Sequence, residues 1–203
     1  MSFPIAVLVS GEGTNLQAIL DTVHGGDVEV VGVAASRADA RGLERAREAG
    51  IETAVFAKDD YAGRDARDRA LADWIEGRGA RLVVLAGFME LLGAEFIDRF
   101  RNAIVNVHPA LLPAFPGVHA IEQALDYGVK VAGVTVHFVD EGVDSGPIIL
   151  QRSFELPYPR DIAAVEQKVH QIEHELLPRA VSLIARGKVS IDPADPRWVI
   201  VDE

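Results

Sequence analysis

Asn106, Val107 and His108 close a short apolar run immediately ahead of Pro109. Side chains alternate along a strand, so Asn106 and His108 fall on one face. A second polar segment, Asp140-Glu141-Gly142-Val143-Asp144-Ser145-Gly146, follows another apolar stretch and supplies carboxylates. An amide, an imidazole and a carboxylate at one sheet edge suit acyl transfer to an amine. Attack on a carbonyl builds an oxyanion, which needs oriented donors. The attacking nitrogen must shed a proton and the leaving nitrogen must gain one. A histidine moves that proton near neutral pH, a carboxylate orients it and favours its charged form, and the Asn106 amide donates to the oxyanion. No covalent nucleophile is needed, which agrees with the absence of cysteine and of a Gly-x-Ser-x-Gly elbow. The same residues also fit plainer roles: a strand-end histidine as a capped core residue, and Asp144 before Ser145-Gly146 as a turn former.

The other candidate is the loop Ser10-Gly11-Glu12-Gly13-Thr14-Asn15. Glycines let backbone approach a ligand, and the helix that follows offers free N–H groups and the positive end of its dipole. Thr14 and Asn15 add donors, so the loop suits a phosphate. It is not a dinucleotide fingerprint, because Leu16 stands where the third glycine belongs and Ser36-Arg37 where an acidic residue would close the second strand. It lacks the Gly-Lys-Ser/Thr ending of a Walker loop. A strand-to-helix turn that needs glycine only for its geometry remains the alternative. Glu12 repels a phosphate unless its side chain points away. Four histidines, His119, His137, His170 and His174, match no standard metal-ligand spacing, and no metal is expected.

These segments must be positioned by the rest of the chain. Apolar runs at Ile5–Val9, Val28–Ala35, Ile51–Ala57 and Leu82–Ala86 alternate with helical patterns at Leu16–His24, Ala40–Ala49 and Tyr61–Glu76. This rhythm predicts an α/β fold, a Rossmann-like, mostly parallel sheet with helices on both faces and ligands at the strands' carboxyl ends. Ala103–Val107 reads as a further strand. Pro109, Pro113 and Pro116 exclude regular structure from 109 to 117. Val131–Val139 alternates like a half-exposed strand that pairs with Pro147–Phe154. Asp161–Arg186 reads as a helix bent at Pro178, and the segment 189–203 has no regular pattern.

The chain has 203 residues, 49% of them apolar, with Lys+Arg 20 against Asp+Glu 31 and a formal charge of -11. That excludes the positive field which non-specific nucleic-acid or acidic-membrane binding requires. The start, Met1-Ser2-Phe3-Pro4, has no secretory pattern, and no uncharged run reaches the roughly 18 residues of a membrane span. The expectation is a cytoplasmic enzyme with no nucleic-acid or membrane partner.

On Val9 to Gln17, Leu85-Ala86-Gly87-Phe88-Met89, Asn106 to Pro113, Phe115-Pro116-Gly117, Thr135 to Val139 and Asp144 to Ile148, the chain resembles phosphoribosylglycinamide formyltransferase, with the resemblance running from about Ile5 to about Ile184. It implies one formyltransferase domain over 1–203. About 1–100 would be the phosphate-binding half, about 101–186 the catalytic and folate-cleft half, and 187–203 a C-terminal tail. It implies Asn106, His108 and Asp144 as the catalytic trio. Gly13, Thr14, Asn15 and Glu173 would contact glycinamide ribonucleotide. Arg64, Leu85, Met89, Glu90, Leu91, Leu92, Asn106, Asp140, Glu141 and Asp144 would contact the formyl donor, 10-formyltetrahydrofolate. The enzyme would act as a monomer or homodimer. Glu90 departs from the basic residue common in that family, and Ala110 from its commoner serine. Methionyl-tRNA formyltransferase shares part of the pattern but carries a further nucleic-acid-binding domain, and formyltetrahydrofolate deformylase adds a regulatory domain. A non-catalytic nucleotide sensor would need the glycine loop but not the trio.

Overall fold

The structure, a computed structural model, describes residues 2–159 and 161–202. The ends of the expected domain, 1 and 203, lie outside the described residues. The fold is α/β with a mostly parallel sheet, and the chain divides into two compact units, one up to Asn106 and one from Val107 onward.

In the first unit, β1 (Phe3–Val9), β2 (Val28–Ala35), β3 (Thr53–Val55), β4 (Leu82–Leu85) and β5 (Ile104–His108, whose last residues belong to the second unit) lie in the order β3-β2-β1-β4-β5. Every pairing among them is parallel. The continuous apolar runs fit this arrangement: Ile5 to Val9 and Leu82 to Leu85 are buried at every position, which requires cover on both faces of the strands. The connecting helices are α1 (Thr14–Thr22), α2 (Arg41–Glu48), α3 (Arg64–Glu76) and the short α4 (Ala94–Arg99). The third strand is shorter than its apolar run suggests, and α4 carries no periodicity long enough to read.

The second unit contains α5 (Ala120–Tyr127), β6 (Val131–Phe138), β7 (Ile148–Glu155), α6 (Ile162–Ala185), β8 (Val189–Ile191) and β9 (Val199–Val201). β6 and β7 pair antiparallel, as the sequence suggests. The expectation of a half-exposed β6 is wrong: Gly133 to Phe138 are all buried, and β7 is the strand that alternates. Burial of Thr135 is tolerated because its hydroxyl donates to the Ala110 carbonyl at 2.7 Å and accepts from the Leu112 N–H at 3.1 Å. These bonds also fix the proline-rich stretch after His108, which is irregular as expected. The segment from 189 is ordered after all, as an antiparallel pair of three-residue strands. Strands that short fall below what sequence alternation can mark.

Candidate functional site

His108 ends β5 with its side chain 5% exposed. Its Nδ1 lies 3.3 Å from Oδ2 of Asp144, and its Nε2 is 2.8 Å from the Phe115 carbonyl, to which it donates. Both ring nitrogens therefore face oxygen acceptors. The Asp144 carboxylate also accepts the Gly117 N–H at 2.8 Å, while His137 Nε2 stands 3.6 Å from its Oδ1. His137 Nδ1 donates to the Phe138 carbonyl at 2.8 Å. Burial alone pushes the Asp144 carboxyl up. Bonds from His137 and Gly117, together with the charges of His108 and His137, outweigh it and hold the group below the usual carboxylate range. The sequence pairs Asp144 with His108 but misses His137 as the second imidazole. The signal is present, since His137 lies near the end of β6, just before the 140–146 turn.

Asn106 precedes His108 by two residues on β5 and is part-buried. It sits in register with Leu85 on β4. Leu85 itself is 7% exposed, so it is a wall of the core as much as a ligand contact. Asp140 and Glu141 share the turn with Asp144. Asp140 Oδ1 accepts from the Gly142 N–H at 3.1 Å and from the Ser145 hydroxyl at 2.6 Å, which gives Asp140 a turn-forming task. Glu141 is exposed.

In the first unit, Arg64, Met89, Glu90 and Leu91 come together at an open cavity of about 770 Å³ whose rim also includes Lys58 and Arg69. Met89 and Leu91 are 76% and 64% exposed there, and unsatisfied apolar side chains at a cavity mouth favour an aromatic or apolar ligand body. Leu92 is part-buried and lies outside that lining. The loop carrying these residues is pinned from beneath. Ser10 Oγ accepts the Met89 N–H at 2.9 Å and shares a 2.7 Å bond with Ser36 Oγ. Arg67, fully buried, reaches Asp68 at 2.7 Å, Glu90 at 3.1 Å and the Leu91 carbonyl at 3.0 Å. Glu90 is thus held by Arg67, which accounts for an acid at this position.

The glycine loop opens α1. Gly13 has φ 69°, and a Cβ there would meet the Gly42 Cα at 2.5 Å. Glycine is therefore required by the turn and by the approach of α2, whatever binds above it. Glu12 is drawn off to Arg41 at 3.1 Å, and its carbonyl accepts from Arg45 at 2.8 Å, so the carboxylate does point away. Among the described helices, α1 alone has neither a side-chain cap nor an acidic residue in its first turn nor an acidic N-cap. Its first N–H groups face no competing anion from those positions. Thr14 is part-buried and Asn15 buried. Glu173 is buried on α6 in the second unit. His170 and His174 stack one turn apart on the same helix, and His119 pairs with Glu122. Among the described residues no cluster of three or more His, Cys, Asp or Glu is arranged to hold a metal.

Residues 4–181 match the formyl transferase family. The chain belongs to that family. Within it, the chain is 38% identical to phosphoribosylglycinamide formyltransferase of Haemophilus influenzae over 190 residues, covering 92% of this chain and 89% of that protein. It is 41% identical to the trifunctional purine biosynthetic protein adenosine-3 of Drosophila melanogaster over 193 residues, or 93% of this chain, but spans only 14% of that much longer protein. The solved structure of glycinamide ribonucleotide transformylase 1 from Symbiobacterium toebii superposes with a TM-score of 0.95 at 45% identity, covering 100% of this chain and 95% of the other. A formyltransferase fold is thereby shown, with the mostly parallel sheet that the strand–helix rhythm predicts.

Proposed function

We propose that this formyl transferase family member moves the formyl group of 10-formyltetrahydrofolate to the amine of glycinamide ribonucleotide, giving formylglycinamide ribonucleotide and tetrahydrofolate in purine synthesis. The observation that carries the reading is the pairing of buried His108 with part-buried Asp144, 3.3 Å apart, with His108 two residues along β5 from Asn106. The amine nitrogen adds to the formyl carbon, and the Asn106 amide and protonated His108 stabilise the oxyanion. The bond from carbon to the folate nitrogen then breaks. The protonated His108 gives its proton to the departing folate nitrogen and, now neutral, takes the proton shed by the attacking nitrogen, while Asp144 stabilises its charged form. His108 Nε2 must leave the Phe115 carbonyl to do this. No bond to the enzyme forms.

In this reading the glycine loop, with Gly13, Thr14 and Asn15 at the head of α1, takes the ribonucleotide phosphate, and Glu173 contacts the same substrate. The pterin and its tail take the folate positions Arg64, Leu85, Met89, Glu90, Leu91, Leu92, Asn106, Asp140, Glu141 and Asp144. The whole chain works as one formyltransferase domain, a monomer or homodimer acting on small molecules in the cytoplasm. Among the described residues no helix is long and apolar enough to cross a membrane.

The test is consumption of 10-formyltetrahydrofolate with glycinamide ribonucleotide present or absent. Formyl transfer only in its presence is expected. Release of formate in water alone would instead indicate a hydrolase, and no consumption under either condition a binding protein.

A further inference from the structure

We propose that Arg197 is a positioning residue for Asp144: the C-terminal segment straps down the turn that presents the carboxylate. The proposal rests on the reading of Asp144 and His108 as the proton-handling pair.

Asp144 has φ 48°, a left-handed conformation uncommon outside glycine, which persists only where its surroundings hold it. From one side the holding group is Asp140, whose carboxylate takes the Gly142 N–H and the Ser145 hydroxyl. Glycine at 146 lets the chain pass against the Phe138 carbonyl, where a Cβ would overlap it. From the other side comes a residue far along the chain. Arg197 Nη1 donates to the Ser145 carbonyl at 2.9 Å, on the peptide that joins Ser145 to Gly146, one residue beyond Asp144.

Arg197 emerges from a turn that is itself closed. Asp192 Oδ1 accepts the Ala194 N–H at 2.8 Å, and Asp195 Oδ1 accepts the Arg197 N–H at 3.0 Å. Backbone bonds from Asp192 N to the Trp198 carbonyl and from Trp198 N to the Asp195 carbonyl, each 2.9 Å, complete it. The β8–β9 pair anchors both ends. The turn fixes the Arg197 backbone, from which its exposed side chain reaches across to Ser145. Its guanidinium also places a fixed positive charge beside a turn that carries Asp140, Glu141 and Asp144.

The groups that act on the Asp144 carboxyl are His137 on β6, the Gly117 N–H and His108 on β5; Asp140 and Glu141 lie on the same turn, and Arg197 bonds its backbone. Loss of Arg197 loosens the carboxylate against both imidazoles, so their charged forms lose support.

The experiment uses the full chain. Arg197→Ala is expected to lower kcat roughly three- to tenfold, as for loss of one charge-assisted, position-fixing hydrogen bond, with KM for the ribonucleotide unchanged. Arg197→Lys keeps the charge and should fall between. The deciding readout needs no substrate: the His108 and His137 ring titrations followed by NMR. Asp144→Asn sets the benchmark, moving both inflections to lower pH. Arg197→Ala should move them the same way by less, and should add nothing in the Asp144→Asn background. Titrations that superimpose on wild type in Arg197→Ala while Asp144→Asn moves them would overturn the strap. If Asp144→Asn itself leaves His108 unmoved, the pairing of Asp144 with His108 fails and the strap falls with it.

Discussion

Two clusters each join carboxylates to basic side chains, and they differ in the basic group. In the first unit, Arg67 bonds Asp68, Glu90 and the Leu91 carbonyl, while the second oxygen of Asp68 takes the Gly93 N–H at 2.7 Å. In the second, Asp144 lies between His108 and His137. An arginine stays charged across the working pH range and presents its donors in a fixed fork. It can hold backbone in place but cannot hand over a proton. An imidazole gains or loses its proton near neutrality. The first cluster therefore shapes the rim of a cavity, and the second has the means for proton transfer. Burial and ion pairing alone do not mark chemistry; a cation that can change its protonation does.

The sharpest way to break this comparison is to remove one basic side chain from each cluster. Arg67→Ala leaves Asp68 buried without its partner and should cost about 3–5 kcal/mol of stability, read from denaturant unfolding. A near-wild-type midpoint would mean that the arginine cluster is not structural. His108→Ala should instead leave stability nearly intact and lower kcat about 10²–10³-fold, read from steady-state assays beside the same unfolding curves. A large loss of stability with modest loss of rate would reverse the roles assigned to the two clusters. The smallest effect is expected for Glu90→Gln. Its side chain is 36% exposed and the amide oxygen can still accept from Arg67, so stability should change by no more than about 1 kcal/mol and kcat very little. A strong rise in KM for the folate alone would show that the Glu90 charge itself meets the ligand, beyond its bond to Arg67.

Much of this was legible in the sequence because it depends on short-range pattern. Continuous apolar runs such as Ile5–Val9 and Leu82–Leu85 mark strands covered on both faces, and the prolines at 109, 113 and 116 mark an irregular connection. Asn106 and His108 share a strand face by simple alternation. What escaped depends on distant partners. β6 reads as half-exposed because Thr135 and His137 are polar, yet Ala110, Leu112 and Asp144 satisfy them from elsewhere in the chain. The role of Glu90 depends on Arg67, 23 residues away. Gly13 suits a phosphate loop by type, but its need for glycine is set by the backbone of Gly42. Replacing Gly13 with valine would therefore disturb the packing of α2 as well as any ligand.

The central claim is that Asp144 maintains the charged form of His108 for proton transfer, and kcat against pH for wild type and Asp144→Asn tests it most directly. Because Asp144 is held below the usual carboxylate range, it is ionised throughout the neutral range. Changes in rate near neutrality then report the imidazoles rather than the carboxylate. With binding of both substrates checked separately, Asp144→Asn should bind them normally and turn over about 10²–10³-fold more slowly. Its deficit should widen as pH rises through neutrality, where a histidine without a carboxylate partner is mostly neutral. A wild-type rate and pH profile in Asp144→Asn would contradict the claim and leave Asp144 as a turn residue.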